Sequence, residues 1–131
     1  MESTLNKYTD NKINKLLNDN GAFWAFSNKQ FEEQKQNDIK YVRMHGGLIA
    51  PKDNANIIHN GFEKIYNEAY KKDLKENGYK KIIWRNCRNL EIQYTDFDEL
   101  VEALEGYKID IELIAIEYNK YISYCVKNDL I

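Results

Sequence analysis

Residues 20–34, NGAFWAFSNKQFEEQ, constrain the fold more than any other stretch, because several structural signals follow one another there without a gap. Gly21 is a favourable helix C-terminus, and the apolar run 22–26 is too short for a helix and rich in aromatic residues that favour strands. Ser27 and Gln30 form a capping box, in which each side chain accepts from the backbone N–H of the other residue. The stretch therefore predicts helix, strand and helix in succession.

The first half of the chain supplies the rest of a small sheet. Thr9 and Gly21 are the expected N-cap and end of a first helix. Residues 39–44 and 48–50 read as two strands, and the intervening His-Gly-Gly at 45–47 favours a hairpin because glycine adopts positive φ angles without strain. With the strand in the opening stretch, the sheet would have three strands.

Helical spacing of apolar residues dominates the second half. The longest helix follows Pro51. Residues 79–94 contain a strand-like Ile-Ile-Trp but also a helical stripe, and we favour helix. Thr95 with Asp98, and then Asp110, are the expected caps of two further helices. The predicted fold class is α+β, with a small two- or three-stranded antiparallel sheet, four to six helices and an all-helical C-terminal half.

The composition is that of a soluble protein with one domain, residues 1–131. Its 43% hydrophobic and 31% charged residues are typical of a packed core under a charged surface. Cys87 and Cys125 lack Cys-x-x-Cys spacing, so we expect reduced, buried thiols. The N-terminus has no basic and apolar leader, and no apolar run approaches the roughly 20 residues that span a bilayer. We therefore expect a cytoplasmic protein with no membrane partner.

Charge is distributed unevenly along the chain. Residues 91–117 contain nine acidic residues and one lysine, whereas residues 64–88 contain eight basic and three acidic residues. Such separation steers partners toward one face, although two solvated helix faces that neutralise each other would give the same pattern. The carboxylates that form a candidate partner-binding surface, called here the acidic face, are Asp96, Asp98, Glu99, Glu102 and Glu105.

A second candidate surface, called here the basic segment, comprises Lys80, Lys81, Trp84, Arg85 and Arg88. An aromatic ring offers a stacking surface and guanidinium groups pair with phosphates, so the segment could bind nucleic acid. Trp84 lies off the helical core stripe and is a candidate exposed anchor. The isoelectric point near 5.7 argues against a nucleic-acid binder, and contact with a protein is an equal alternative.

The two histidines, His45 and His59, do not lie at metal-ligand spacing from a cysteine or from each other, which argues against zinc. Glycine-rich phosphate-binding motifs are absent from the sequence, so no cofactor is expected. His45 beside two glycines fits an ordinary hairpin residue, and His59 fits the boundary of a helix face. A small enzyme that uses one of them stays open, because residues distant in sequence can meet in the fold.

Three segments show a family resemblance: residues 20–33, 47–54 (GLIAPKDN) and 94–107 (YTDFDELVEALEGY). They resemble a family of small uncharacterised proteins from phages and mobile elements, over residues 18–118. The resemblance implies a setting but no settled activity. Where it leads us to expect Asn-His-Glu before the Tyr-Thr element, this chain has Asn89-Leu90-Glu91, which weakens an enzymatic interpretation.

The mobile-element setting that the resemblance implies, the uneven charge and the candidate anchor Trp84 together lead us to expect a non-enzymatic phage or mobile-element protein that binds and inhibits a host defence complex, such as a CRISPR nuclease, in the cytoplasm of a bacterial host. The acidic face would mimic nucleic-acid phosphates and enter a basic channel. Abundant Asn, Lys, Ile and Tyr, which have AT-rich codons, fit a host of low G+C content. Two alternatives stay open: an RNA- or single-stranded-DNA-binding phage regulator that uses the basic segment, and a small enzyme with a histidine-centred site.

Overall fold

The computed structural model describes residues 5–131, whose packing forms two compact units. The N-terminal unit comprises Asn6–Tyr66, and the C-terminal unit comprises Leu5 with Asn67–Ile131. The predicted single domain over residues 1–131 stays a prediction. Within the described residues no helix combines the length and the apolar character needed to cross a membrane.

The N-terminal unit confirms the predicted small antiparallel sheet. The central strand is β3 (Leu48–Pro51), which lies between β1 (Phe23–Trp24) and β2 (Tyr41–Arg43). Phe23 lies opposite Ile49, and Val42 lies opposite Ala50. The unit is built on the buried side chains Leu17, Leu48, Ala50 and Ile58. Its elements are α1 (Asn6–Asp19), β1 (Phe23–Trp24), α2 (Asn28–Gln34), β2 (Tyr41–Arg43), β3 (Leu48–Pro51) and the first half of α3 (Ala55–Asn77).

The caps around the opening stretch are those of the capping box, with one shift. Ser27 Oγ accepts from the N–H of Gln30 at 3.2 Å, as predicted, but Gln30 Oε1 accepts from the N–H of Phe26 at 2.7 Å, one residue before the expected one. The prediction that Thr9 caps α1 is wrong. The helix begins at Asn6, and Thr9 is buried inside it with its hydroxyl 3.4 Å from the carbonyl of Asn6.

The predicted hairpin turn is confirmed between β2 and β3. His45–Gly47 forms the turn, closed by the N–H of Leu48 donating to the carbonyl of His45, and Gly46 has φ 68° and Gly47 has φ 87°. A methyl group on Gly47 would lie 2.6 Å from Cε1 of Phe26, so only glycine lets that ring pack on the turn.

The C-terminal unit is all-helical, as expected. Residues 79–94, the ambiguous segment, are helical as α4 and then as one 3-10 turn, Ile92–Tyr94. Asp110 caps α6 by accepting from the N–H of Glu112 at 3.0 Å, as predicted. The cap of α5 is Asp96, which accepts from Glu99 N–H at 3.1 Å, so the predicted Thr95 and Asp98 pair is wrong by one position. The helices are the rest of α3, α4 (Tyr79–Asn89), α5 (Phe97–Ala103) and α6 (Ile111–Lys127).

Both cysteines lie in the core of the C-terminal unit and are free thiols, as predicted. Burial, with the neighbouring Cys125 as a second cause, raises the pKa of Cys87 to about 12. A thiol with such a pKa stays protonated at neutral pH and is no nucleophile.

Candidate functional site

The acidic face lies on and beside the short helix α5, and all five of its residues are exposed. On the opposite side of the helix, Leu100 and Leu104 are buried in the core of the C-terminal unit. Asp96, at one end of the acidic face, accepts a hydrogen bond from the backbone N–H of Glu99 and so caps the first turn of α5. The carboxylates are therefore displayed outward by a helix whose other face is fixed by packing.

The structure divides the residues of the basic segment into two groups. Lys80, Lys81 and Arg88 are exposed on α4. The expectation that Trp84 is an exposed anchor is wrong. Its ring is partly buried against the core, 5.2 Å from the Tyr121 ring, and its indole N–H donates to Glu117 Oε1 at 3.1 Å.

Arg85 also points inward, because its side chain is only 12% exposed. Its Nη2 lies 2.7 Å from Oδ2 of Asp73, which is fully buried, and 3.0 Å from the hydroxyl of Tyr107. To bind a phosphate, Arg85 would have to leave this ion pair and strand a buried carboxylate, which is costly. The basic segment thus presents the three cations Lys80, Lys81 and Arg88 to solvent. The Trp84 ring and the Arg85 guanidinium do not face outward as expected.

The Asp73 carboxylate is the centre of a polar network inside the C-terminal unit. Beyond Arg85, it accepts from the hydroxyl of Tyr107 at 2.6 Å and from the amide of Asn77 at 2.7 Å. Burial acts to raise the pKa of Asp73, but the hydrogen bonds from Arg85, Tyr107 and Asn77 outweigh it, so the pKa lies below its usual value. Burial, followed by the hydrogen bond to Asp73, raises the pKa of Tyr107. The network is charged, paired and structural.

Glu117 is a second acidic residue that the structure removes from the surface. It was counted in the acidic stretch 91–117, yet it is 4% exposed and accepts from Trp84 and from Lys120 Nζ at 3.2 Å. The acidic face therefore depends on the carboxylates of α5 and its ends.

The two histidines lie on the walls of the same pocket in the N-terminal unit, with a volume of about 360 Å³. His45 comes from the hairpin turn and His59 from α3. The pocket, called here the histidine pocket, is lined by Trp24, Met44, His45, Leu48, His59, Phe62 and Tyr66. Residues 5–131 contain no cluster of three or more His, Cys, Asp or Glu side chains that could hold a metal ion.

Sequence reasoning missed the residues that meet only through packing. Asp73 lies among lysines on α3 and looks like a solvent-facing residue, and its partner Tyr107 is 34 positions away. The spacing of His59, Phe62 and Tyr66 on α3 does indicate one shared helix face. The apolar spacing predicts a core-facing side of the helix with His59 at its boundary, so the sequence did not predict the pocket.

The fold and these surfaces define a small α+β protein with an exposed acidic helix and an aromatic pocket. The chain belongs to a family of unknown function, DUF7659, whose model matches residues 5–123. This match confirms the expectation of an uncharacterised family over most of the chain. Comparisons with curated proteins and with solved structures gave no match.

Proposed function

We propose that this protein is a non-enzymatic inhibitor from a phage or mobile element, which acts in the cytoplasm of a bacterial host on a nucleic-acid-binding host defence complex such as a CRISPR nuclease. The proposal rests on the acidic face. Its five carboxylates are exposed, and α5 is held by the buried Leu100 and Leu104.

The physical basis of the proposal is phosphate mimicry. One turn of an α-helix advances about 5.4 Å, so Asp98 and Glu102 display negative charges one turn apart, with Glu99 beside them. One strand of B-DNA displays a phosphate about every 3.4 Å along its axis. A run of carboxylates on a fixed helix offers a comparable density of negative charge to a basic channel, and long-range attraction speeds the encounter.

Charge reversal tests the proposal in a DNA-cleavage assay with a purified CRISPR nuclease and its guide RNA. The variant Asp98→Lys/Glu99→Lys/Glu102→Lys should lose inhibition, because the face would then repel a basic channel. The matched control, Asp10→Lys/Glu33→Lys/Asp38→Lys, reverses three exposed acids of the N-terminal unit and should still inhibit. Thermal unfolding of both variants checks that the fold is kept.

Two results would count against the proposal. Full inhibition by the α5 variant would reject the acidic face as the working surface. Failure of the wild-type protein to inhibit any nuclease in the assay would remove the CRISPR-nuclease target. The alternative of an RNA- or single-stranded-DNA-binding regulator has weaker support, because Trp84 and Arg85 are engaged inside the C-terminal unit.

A further inference from the structure

We propose that the histidine pocket is a binding site for a planar heteroaromatic ring, of the chemical class of a nucleobase. The inference concerns the N-terminal unit alone and goes beyond the acidic face and its partner. It rests on the shape of the pocket, on its aromatic walls and on the place of both histidines in it.

The pocket is assembled by two strands, one turn and one helix of the N-terminal unit. Pairing of β1 with β3 sets Trp24 opposite Leu48. The glycine turn after β2 brings His45 to the rim, and one face of α3 supplies His59 and, from its next turns, two aromatic rings. The volume of about 360 Å³ falls in the range of small-molecule sites, roughly 300–1,000 Å³.

Besides the histidines, Met44 and Leu48, the lining of the pocket consists of the aromatic rings of Trp24, Phe62 and Tyr66. Trp24 is 44% exposed, and the Phe26 ring stacks on it at 6.4 Å and 7°. On α3, the rings of Phe62 and Tyr66 stack on each other, with a centroid distance of 6.4 Å and an interplanar angle of 16°. Gly47 leaves the space that Phe26 occupies, so the turn and the stacked pair depend on each other. An indole held in place by a second ring, yet open to solvent, is a surface on which another ring can stack.

The polar groups of the pocket are suited to the edge of a base. A neutral imidazole has one N–H donor and one acceptor nitrogen, so two histidines supply both kinds of group. His59 Nε2 lies 3.7 Å from Glu63 Oε1, close enough for an ion pair when the imidazole is protonated but beyond hydrogen-bonding distance, and the His59 side chain is 66% exposed, so a ligand can reach this nitrogen. Bases are recognised in this way, by stacking on aromatic rings and by hydrogen bonds at their edges.

The ligand is expected to use both kinds of lining group. An aliphatic ligand would fill the apolar part of the pocket and use neither imidazole. A planar ring with nitrogen and oxygen atoms at its edge uses both the walls and the histidines.

Nuclear magnetic resonance tests this with the two tryptophans as reporters. Labelled protein is titrated with adenosine, guanosine, cytidine and uridine, and with toluene as a planar ring that has no hydrogen-bonding group. At least one nucleoside should shift the indole N–H signal of Trp24 saturably and bind about tenfold more tightly than toluene, the order that one hydrogen bond supplies. The Trp84 signal, in the other unit, should stay in place. Equal or tighter binding of toluene, or no shift of Trp24, would overturn the proposal.

Variants separate stacking from edge recognition. His45→Phe/His59→Phe should lose about tenfold in nucleoside affinity while binding toluene as before, since rings remain but hydrogen bonds do not. Trp24→Ala should lose both ligands, and because this variant lacks the reporter its binding is measured from the resonances of the ligand. Ile57→Ala, at an exposed position of α3 outside the lining, is the control and should bind like the wild type. Undiminished nucleoside binding by the double histidine variant would reject the histidines as the recognition groups.

A last set of titrations identifies whether the base comes from a free nucleotide or from a strand. The nucleoside that binds is compared with its 5′-monophosphate and with a single-stranded trinucleotide of the same base. Tighter binding of the monophosphate identifies a free nucleotide, and tighter binding of the trinucleotide identifies a base within a strand. Either result supports the site, whereas a phosphate or strand that binds without shifting Trp24 contradicts it.

Discussion

Asp73 Oδ2 lies 2.7 Å from Arg85 Nη2, and this ion pair joins α3 to α4 inside the C-terminal unit. The two helices meet at Gly78, whose φ of 78° lets the chain turn between them. Asp73 is fully buried and the Arg85 side chain is 12% exposed, so water cannot take the place of the guanidinium beside the carboxylate. The same pair explains why Arg85 is not free to bind nucleic acid.

The first prediction concerns the loss of this charge. Asp73→Asn should lower the free energy of unfolding by about 3–5 kcal/mol, because it leaves the Arg85 guanidinium buried without a counter-charge. Urea unfolding measures the change. A loss below about 1 kcal/mol, the range of a surface substitution, would show that the pair contributes little.

A matched control is Tyr107→Phe, which removes one donor to the carboxylate but leaves the ion pair. We expect a loss of about 1.5–3 kcal/mol, the usual contribution of a hydrogen bond to a charged group. If Tyr107→Phe were as harmful as Asp73→Asn, the hydroxyl and not the charge pair would dominate the network.

The second prediction is a pH dependence of stability. The pKa of Asp73 is below its ordinary value of 3.8 in the folded protein, so the unfolded chain binds this proton first as pH falls. The stabilisation is therefore fully present above that ordinary value and is lost as pH falls through the lower, folded value. The gap in unfolding free energy between wild type and Asp73→Asn should narrow from pH 5 to pH 2. A gap that stayed constant over this range would contradict the assignment.

The third prediction concerns the thiols. Cys87 and Cys125 are fully buried, and the pKa of Cys87 is raised to about 12 by burial and by Cys125 beside it. Neither should react with a disulfide reagent at pH 8 in the folded protein, and both should react in denaturant. Rapid reaction of one thiol in the native state would show that the core of the C-terminal unit opens.

The fourth prediction addresses the basic segment in gel-shift titrations with mixed RNA and DNA oligonucleotides at two salt concentrations. The exposed cations Lys80, Lys81 and Arg88 do not form a stacking site with Trp84, so we expect any shift that persists at the higher salt concentration, where nonspecific attraction is screened, to persist also in Lys80→Glu/Lys81→Glu/Arg88→Glu. Binding that weakens steeply with salt and disappears in this variant would instead support the nucleic-acid regulator.

Local signals explain why much of the fold was predictable. Three features depend on residues only two to four positions apart: the Ser27 cap, the Asp110 cap and the glycine turn before β3. Such short-range interactions can be predicted from the sequence. The errors were also local. Thr9 carries a capping side chain, but α1 begins three residues earlier, at Asn6, so Thr9 lies inside the helix. Thr95 and Asp98 also resemble caps, but Asp96 between them accepts from the N–H of Glu99 and takes the cap of α5.

The sequence by itself determined the α+β class, the order of helices and strands, and the acidic character of α5. Only the tertiary structure decided which charged and aromatic side chains are available. It buried Asp73 and Arg85, 12 positions apart, turned Trp84 toward Glu117, 33 positions away, and brought His45 and His59 to one pocket. The physical reason is that helical periodicity shows which residues share a face, whereas the packing of other elements against that face decides whether it meets water, a partner side chain or a cavity.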